Sequence, residues 1–249
     1  MGFASGFDYR ATPGSLVGFA LAGGQTSYGL STGLGTGKSD AFQVGAFGSQ
    51  RFGAAYISGI LAYSYHRMTT DRTVTIAGAD HLRASFDAHN WGGRIEGGYR
   101  LATPVVGITP YGAYQAQWVH TPSYSETVVS GTPAFALSYD AKTTSTNRVE
   151  AGVWFDKSFA FYDRTTIGLR VRGAWAHDRS SDPNINATFQ SVPGASFTVN
   201  GAKPASDLGL ASIGCELRRG NISLAVRLDG EFASRSQTYA GLGTFRYIW

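Results

Sequence analysis

The sequence predicts an all-β protein, an antiparallel transmembrane β-barrel, on three observations: period-two alternation in block after block, connections that differ in length on alternate sides, and aromatic residues at the ends of the apolar faces. Alternation sustained over this length marks strands whose two faces meet different surroundings. In NISLAVRLDGEF one parity holds Ile222, Leu224, Val226, Leu228 and Phe232, and the other Ser223, Ala225, Arg227, Asp229 and Glu231. A soluble barrel would bury the first set, whereas an outer-membrane barrel turns it to lipid and the charges to the lumen. Alternation alone does not choose between the two.

The strands follow in order at roughly 2–10, 15–26, 38–51, 54–67, 81–101, 107–121, 144–160, 164–179, 203–218, 221–233 and 237–249, eleven in all. AAYISGILAYSY sets Ile57, Leu61, Tyr63 and Tyr65 on one face, and NWGGRIEGGYRL sets Trp91, Ile95, Tyr99 and Leu101 opposite Arg94, Glu96 and Arg100. RVEAGVWFD separates Val149, Ala151, Val153 and Phe155 from Arg148, Glu150 and Asp156, with Trp154 out of place on the polar side. TTIGLRVRGAW opposes Ile167, Leu169, Val171 and Trp175 to Arg170 and Arg172. Glu216 and Arg246 continue the charged parity toward the C-terminus, while Phe245, Tyr247 and Trp249 close the apolar one.

Connections and aromatics decide for the membrane. Breaks near 11–14, 51–54, 102–107, 160–164 and 218–221 are short; those near 26–38, 67–81, 121–144 and 179–204 are longer and richer in Ser, Thr, Asn, Pro and Asp. Short turns on one side and long loops on the other is the outer-membrane pattern, and tyrosine and tryptophan at the ends of apolar faces are its interfacial girdles. Charged residues are sparse at 15%, aromatics reach 13%, and glycine supplies 33 of 249 residues. That is about twice the usual glycine content, which suits close, twisted strand packing.

Composition also excludes. A net charge of +4 without a basic run gives no footprint for nucleic acid. The single Cys215 allows no intrachain disulfide or cysteine metal cluster, and on a face with Ile213 and Leu217 it reads as a small apolar residue. No GxSxG, HExxH or phosphate-binding glycine motif is present, GLGTG at 33–37 has the wrong spacing, and DPNIN at 182–186 reads as a turn. Expected are no catalytic residues, no metal, no cofactor and no enzyme activity. No stretch has the length of an apolar membrane helix, and MGFASGFDYR does not read as a secretory signal.

An odd strand count makes the first and last strands run the same way, yet bacterial barrels close on an even antiparallel set. The expectation is therefore a strand upstream of Met1 and a seam between 2–10 and 237–249. WAHD at 175–178, DP at 182–183, PGASFTVNGA at 193–202, Asp207, Gly214 with Glu216, DGEF at 229–232 and TFRYIW at the end resemble, in order and spacing, the β-domain of bacterial autotransporters, the type V secretion translocators. EGGYR at 96–100, TPY at 109–111, Glu126 and GFDYR at 6–10 are similar to earlier parts of that family, so the resemblance spans nearly the whole chain.

The resemblance implies a barrel of the twelve-stranded type in the bacterial outer membrane, acting as a monomer that anchors and helps export an N-terminal passenger. It places the first strand, a lumen-held linker helix and the passenger before Met1. Its partners would be outer-membrane lipid, its own passenger and linker, and the barrel-assembly machinery, with Phe245, Tyr247 and Trp249 as the C-terminal assembly signal. The lumen-lining candidates for linker or pore contact are Arg94, Glu96, Arg100, Arg148, Glu150, Asp156, Arg170, Arg172, Glu216, Arg227, Asp229, Glu231 and Arg246. The alternatives are an autonomous porin and a soluble ligand-binding barrel; the second leaves the unequal connections and the terminal aromatic unexplained.

Overall fold

The computed structural model describes residues 1–30, 33–76, 78–161 and 164–248. Among the described residues, eleven long strands form one sheet in sequence order, each antiparallel to the next. They are β1 (Gly2–Thr12), β2 (Ser15–Gly29), β3 (Gly35–Phe52), β4 (Ala55–Val74), β5 (Asp80–Tyr99), β6 (Gly107–Thr121), β7 (Lys142–Ala160), β8 (Thr165–Ser180), β9 (Asp207–Arg219), β10 (Ile222–Phe232) and β11 (Gln237–Tyr247). The short strand Leu101–Ala102 adds to β6, and Thr127–Ser130 adds to the far end of β5.

The sheet is curled, with its apolar parity on the convex side. Leu224, Val226 and Leu228 are exposed, Val226 at 60%, and so are Leu61, Trp91, Ile95, Val171, Trp175, Ile213 and Phe245. Such exposure of large apolar side chains is untenable in water and normal against lipid. Tyr63, Trp91 and Trp118 stand abreast in register on β4, β5 and β6, the Tyr63 and Trp91 rings 4.8 Å apart. Tyr99, Phe159 and Tyr247 mark the opposite margin.

At that margin the turns are tight: β3 to β4 and β9 to β10 pass through Gly53 and Gly220, whose φ of 62° and 56° favours glycine. The other end departs from the sequence reading. The connections expected as loops at 26–38 and 67–81 are mostly strand, because β2, β3, β4 and β5 run on as a projecting wall. With 20 residues each, β4 and β5 are about twice the 9–11 residues that cross a bilayer.

The connections near 121–144 and 179–204 are also structured. They build a second sheet, Ser196–Val199, Ile185–Phe189, Leu137–Tyr139 and Tyr124–Ser125 in that order, here termed the cap. No ladder joins β1 to β11 among the described residues. Those two edges run parallel, and Arg246 Nη2 on β11 lies 3.9 Å from Asp8 Oδ1 on β1.

Candidate functional site

The charged parity faces inward, as three contacts between non-adjacent strands require. Arg94 on β5 reaches Glu150 on β7, Arg148 on β7 reaches Glu231 on β10, and Arg246 reaches Asp8. Neighbouring strands lie about 4.8 Å apart, so side chains meet across three strands only on the concave side of a curled sheet.

Glu150 is the centre of the largest network and is 2% exposed. Its register partners on β6 and β8 are Ala113 and Ala176, small residues that leave room for arginines from further away. Arg94 Nη1 donates to its Oε2 at 2.7 Å, Arg172 Nη1 to its Oε1 at 3.2 Å, and the Tyr111 hydroxyl also donates to Oε1. Gly152 makes this possible, since a Cβ there would stand 2.5 Å from the Ala174 Cβ and 2.8 Å from the Tyr111 hydroxyl. Arg94 Nη2 also donates to Glu96 at 2.8 Å, and Glu96 accepts the Tyr56 hydroxyl at 2.7 Å. Two guanidinium groups share this deeply placed carboxylate, the pairing that a buried charge needs.

Trp154, anomalous in the alternation, is now explained. Its ring is buried inside with Tyr111 and Ala113, and the guanidinium carbons of Arg170 and Arg172 lie 3.9 and 5.3 Å from its centroid. An indole on the charged parity is a platform for cations. Arg170 has no carboxylate within ion-pair distance among the described residues.

A second network centres on Arg148, which grips Asp178 through Nε at 2.6 Å and Nη2 at 2.8 Å and Glu231 through Nη1 at 3.0 Å. The remaining candidates form separate pairs. Arg100 meets Asp156 at 2.5 Å near the short turns; Arg227 meets Asp229 at 2.8 Å, with the Ser212 hydroxyl also on Asp229; Glu216 takes the Ser223 hydroxyl. Sequence reasoning left out Tyr56, Tyr111, Trp154, Asp178 and Asp8 as members of these networks. Parity was the available signal for each, since all five share a face with the charges they touch.

Phe245 and Tyr247 are exposed on the convex face of β11. Trp249 lies outside the described residues.

The fold has parallels among known proteins. The translocator domain of the autotransporter NalP from Neisseria meningitidis superposes with a TM-score of 0.79 at 16% identity, covering 100% of this chain and 80% of that one. The β-domain of the Bordetella autotransporter BrkA gives 0.72 at 16% identity, covering 100% and 90%. At this identity they speak for the fold. Two extracellular serine proteases of Serratia marcescens are 25% and 26% identical over 201 residues, 80% of this chain and 19% of their own length. The chain thus spans about a fifth of those relatives. The family profile described as the autotransporter beta-domain matches residues 1–229. The chain belongs to the autotransporter β-domain family, the outer-membrane translocator barrels of Gram-negative bacteria.

Proposed function

We propose that this barrel anchors a polypeptide from its own upstream region and passes it to the cell surface. The observation that carries the reading is a barrel with a charged, aromatic-floored interior and an apolar exterior in a chain whose family is the autotransporter β-domain. The inner charges are its contact surface: Arg170, exposed to the lumen over Trp154, is the cation best placed to meet an acceptor on a segment held inside. About twelve strands leave a passage between the filled interior of eight and the water channel of sixteen, and a helix is about 10–12 Å across.

The seam supports an upstream strand. Two parallel edges cannot pair as an antiparallel barrel needs, while one strand running the other way would pair with both. A single-strand gap separates its flanking strands by about 10 Å, a distance that the arginine and aspartate side chains of Arg246 and Asp8 can bridge together. Enzyme activity, where the whole protein has any, belongs in this reading to the exported part. The name serine protease is that of the Serratia relatives, of which this chain matches the smaller share.

Surface display tests the proposal. With the full gene expressed in a Gram-negative host and an epitope placed upstream of residue 1, added protease should remove the epitope from intact cells while the barrel stays in the outer membrane. An epitope retained in the periplasm would overturn export, and a short leader joined directly to the first strand would favour the porin.

The terminal strand adds a separate proposal, that Phe245, Tyr247 and Trp249 are read by the barrel-assembly machinery, which can recognise a free strand edge by β-augmentation. Deleting Trp249 should then lower outer-membrane levels several-fold in cells and leave refolding in detergent nearly unchanged. Equal cellular levels would reduce Trp249 to an interfacial anchor.

A further inference from the structure

The apolar parity of β5 reverses along its length. Within the membrane band the apolar side chains are odd-numbered, Trp91, Ile95 and Tyr99, and exposed; beyond it they are even-numbered, Leu82, Ala84, Phe86 and Ala88, and Leu82, Ala84 and Ala88 are buried. Even positions share the inner face with Arg94 and Glu96. The projecting wall is therefore covered from inside, and the cap covers it.

Both faces of the cap are defined by its register. Phe86 stacks on Tyr124 with centroids 3.9 Å apart, and Tyr124 on Tyr139 at 4.7 Å, so the aromatic face lies on the wall. Ser125, Ser138, Thr188 and Ser196 are directly paired across all four strands on the opposite face. Hydroxyl bonds of 2.8 Å link Ser125 to Ser138 and Thr188 to Ser196. Asn186 and Thr198 form the next pair of the same parity, joined at 3.1 Å. This face has no apolar side chain at those positions, and it lies opposite the aromatic face that packs on the wall.

The cap is held there by polar groups centred on the buried Glu126. Arg72, on the inner face of β4, donates to both Glu126 oxygens at 2.9 and 2.6 Å and to the Phe135 carbonyl at 2.8 Å; Glu126 also accepts the Leu137 N–H at 2.9 Å. The Gln190 amide, from the β8–β9 connection, donates to the carbonyls of Glu126 at 2.8 Å and Leu137 at 2.9 Å, tying the two long connections together. Its hydrogen bonds to Glu126 raise the Arg72 pKa, and burial pushes the Tyr124 hydroxyl up to about 12, so both keep their usual forms at any physiological pH.

Toward the seam, the inner face of β1 and of the adjoining part of β2 is small: Ala4 pairs with Ala22 and Gly6 with Ala20, on the parity of Asp8. We infer that the hydroxyl and amide face of the cap is a guide surface for an extended polypeptide leaving the lumen, and that Arg72 and Glu126 are the positioning residues that hold it over the mouth. A row of hydroxyls can donate to or accept from any main-chain group, which suits a passing chain of any sequence.

The inference rests on the translocator reading, and one experiment separates the two. In the full-length protein, with the exported region stalled by a fast-folding domain, a photo-cross-linking residue is placed in turn at Ser138, Thr188, Ala22 and Ile76, the last on the outer hairpin. Cross-links to the stalled chain are expected at Ala22, Ser138 and Thr188 and not at Ile76. Cross-links at Ala22 without Ser138 and Thr188 would overturn the guide surface alone; none at Ala22 would overturn passage through the barrel. Glu126→Gln should at least halve the yield at Ser138 and Thr188 and spare Ala22, and an unchanged yield would remove Arg72 and Glu126 from the positioning role. Should that variant not reach the membrane, Arg72→Lys makes the same comparison.

Discussion

Glu150→Gln is expected to destabilise the refolded barrel by about 3–5 kcal/mol, the cost of leaving one side of a buried ion pair uncompensated. The substitution keeps the size of the side chain and removes the charge that Arg94 and Arg172 share. Those two side chains are 22% and 16% exposed, too little for lumen water to restore full solvation. Glu216→Gln provides the contrast, because Glu216 has a single described partner, the Ser223 hydroxyl. It should cost less than about 1 kcal/mol, as a typical hydrogen bond does. Urea unfolding in lipid vesicles measures both; equal costs would show that the inner network is not energetically centred on Glu150.

Val226→Arg is expected to cost about 2–4 kcal/mol, the penalty for a cation on the lipid face near the bilayer midplane. Val226 is central in β10, with Cys215 on one side and Gly243 on the other, and a long side chain there has no inward path. Arginine at Ala225, one residue away and on the inner parity beside Glu216, should cost much less in the same assay.

Much of the barrel was legible because lipid imposes a strict code. Every second residue of Ile222–Phe232 must be apolar, and nothing else in the sequence had to be known to orient Arg227 and Asp229 inward. Direction and strand number followed from where short turns such as Gly53 and Gly220 recur. The code fails where lipid ends. In β5 the alternation continues from Trp91 to Leu82 but changes phase, and a reading that follows one parity through the strand takes the even-numbered set for noise.

That phase change is itself a sign that something packs on the inner face above the membrane, and it is readable in HLRASFDAHNW. What packs there was not readable: the pairing of Leu137 with Phe189 is between residues 52 positions apart in connections with no periodic pattern of their own. Trp154 stood on the polar parity in the sequence, but the reason was not readable there. Its apolar character points outward by rule, and only the two arginines above its ring show why it points inward.

The central claim is that the charged parity lines the interior and the apolar parity meets lipid. Its most direct test is a single-cysteine scan over 224–231, in a Cys215→Ser background, with an environment-sensitive fluorophore on each cysteine and a quencher attached to the lipid chains. Quenching at 224, 226 and 228, with little at 225, 227, 229 and 231, is the predicted result. The opposite parity, or uniform quenching at all positions, would contradict it.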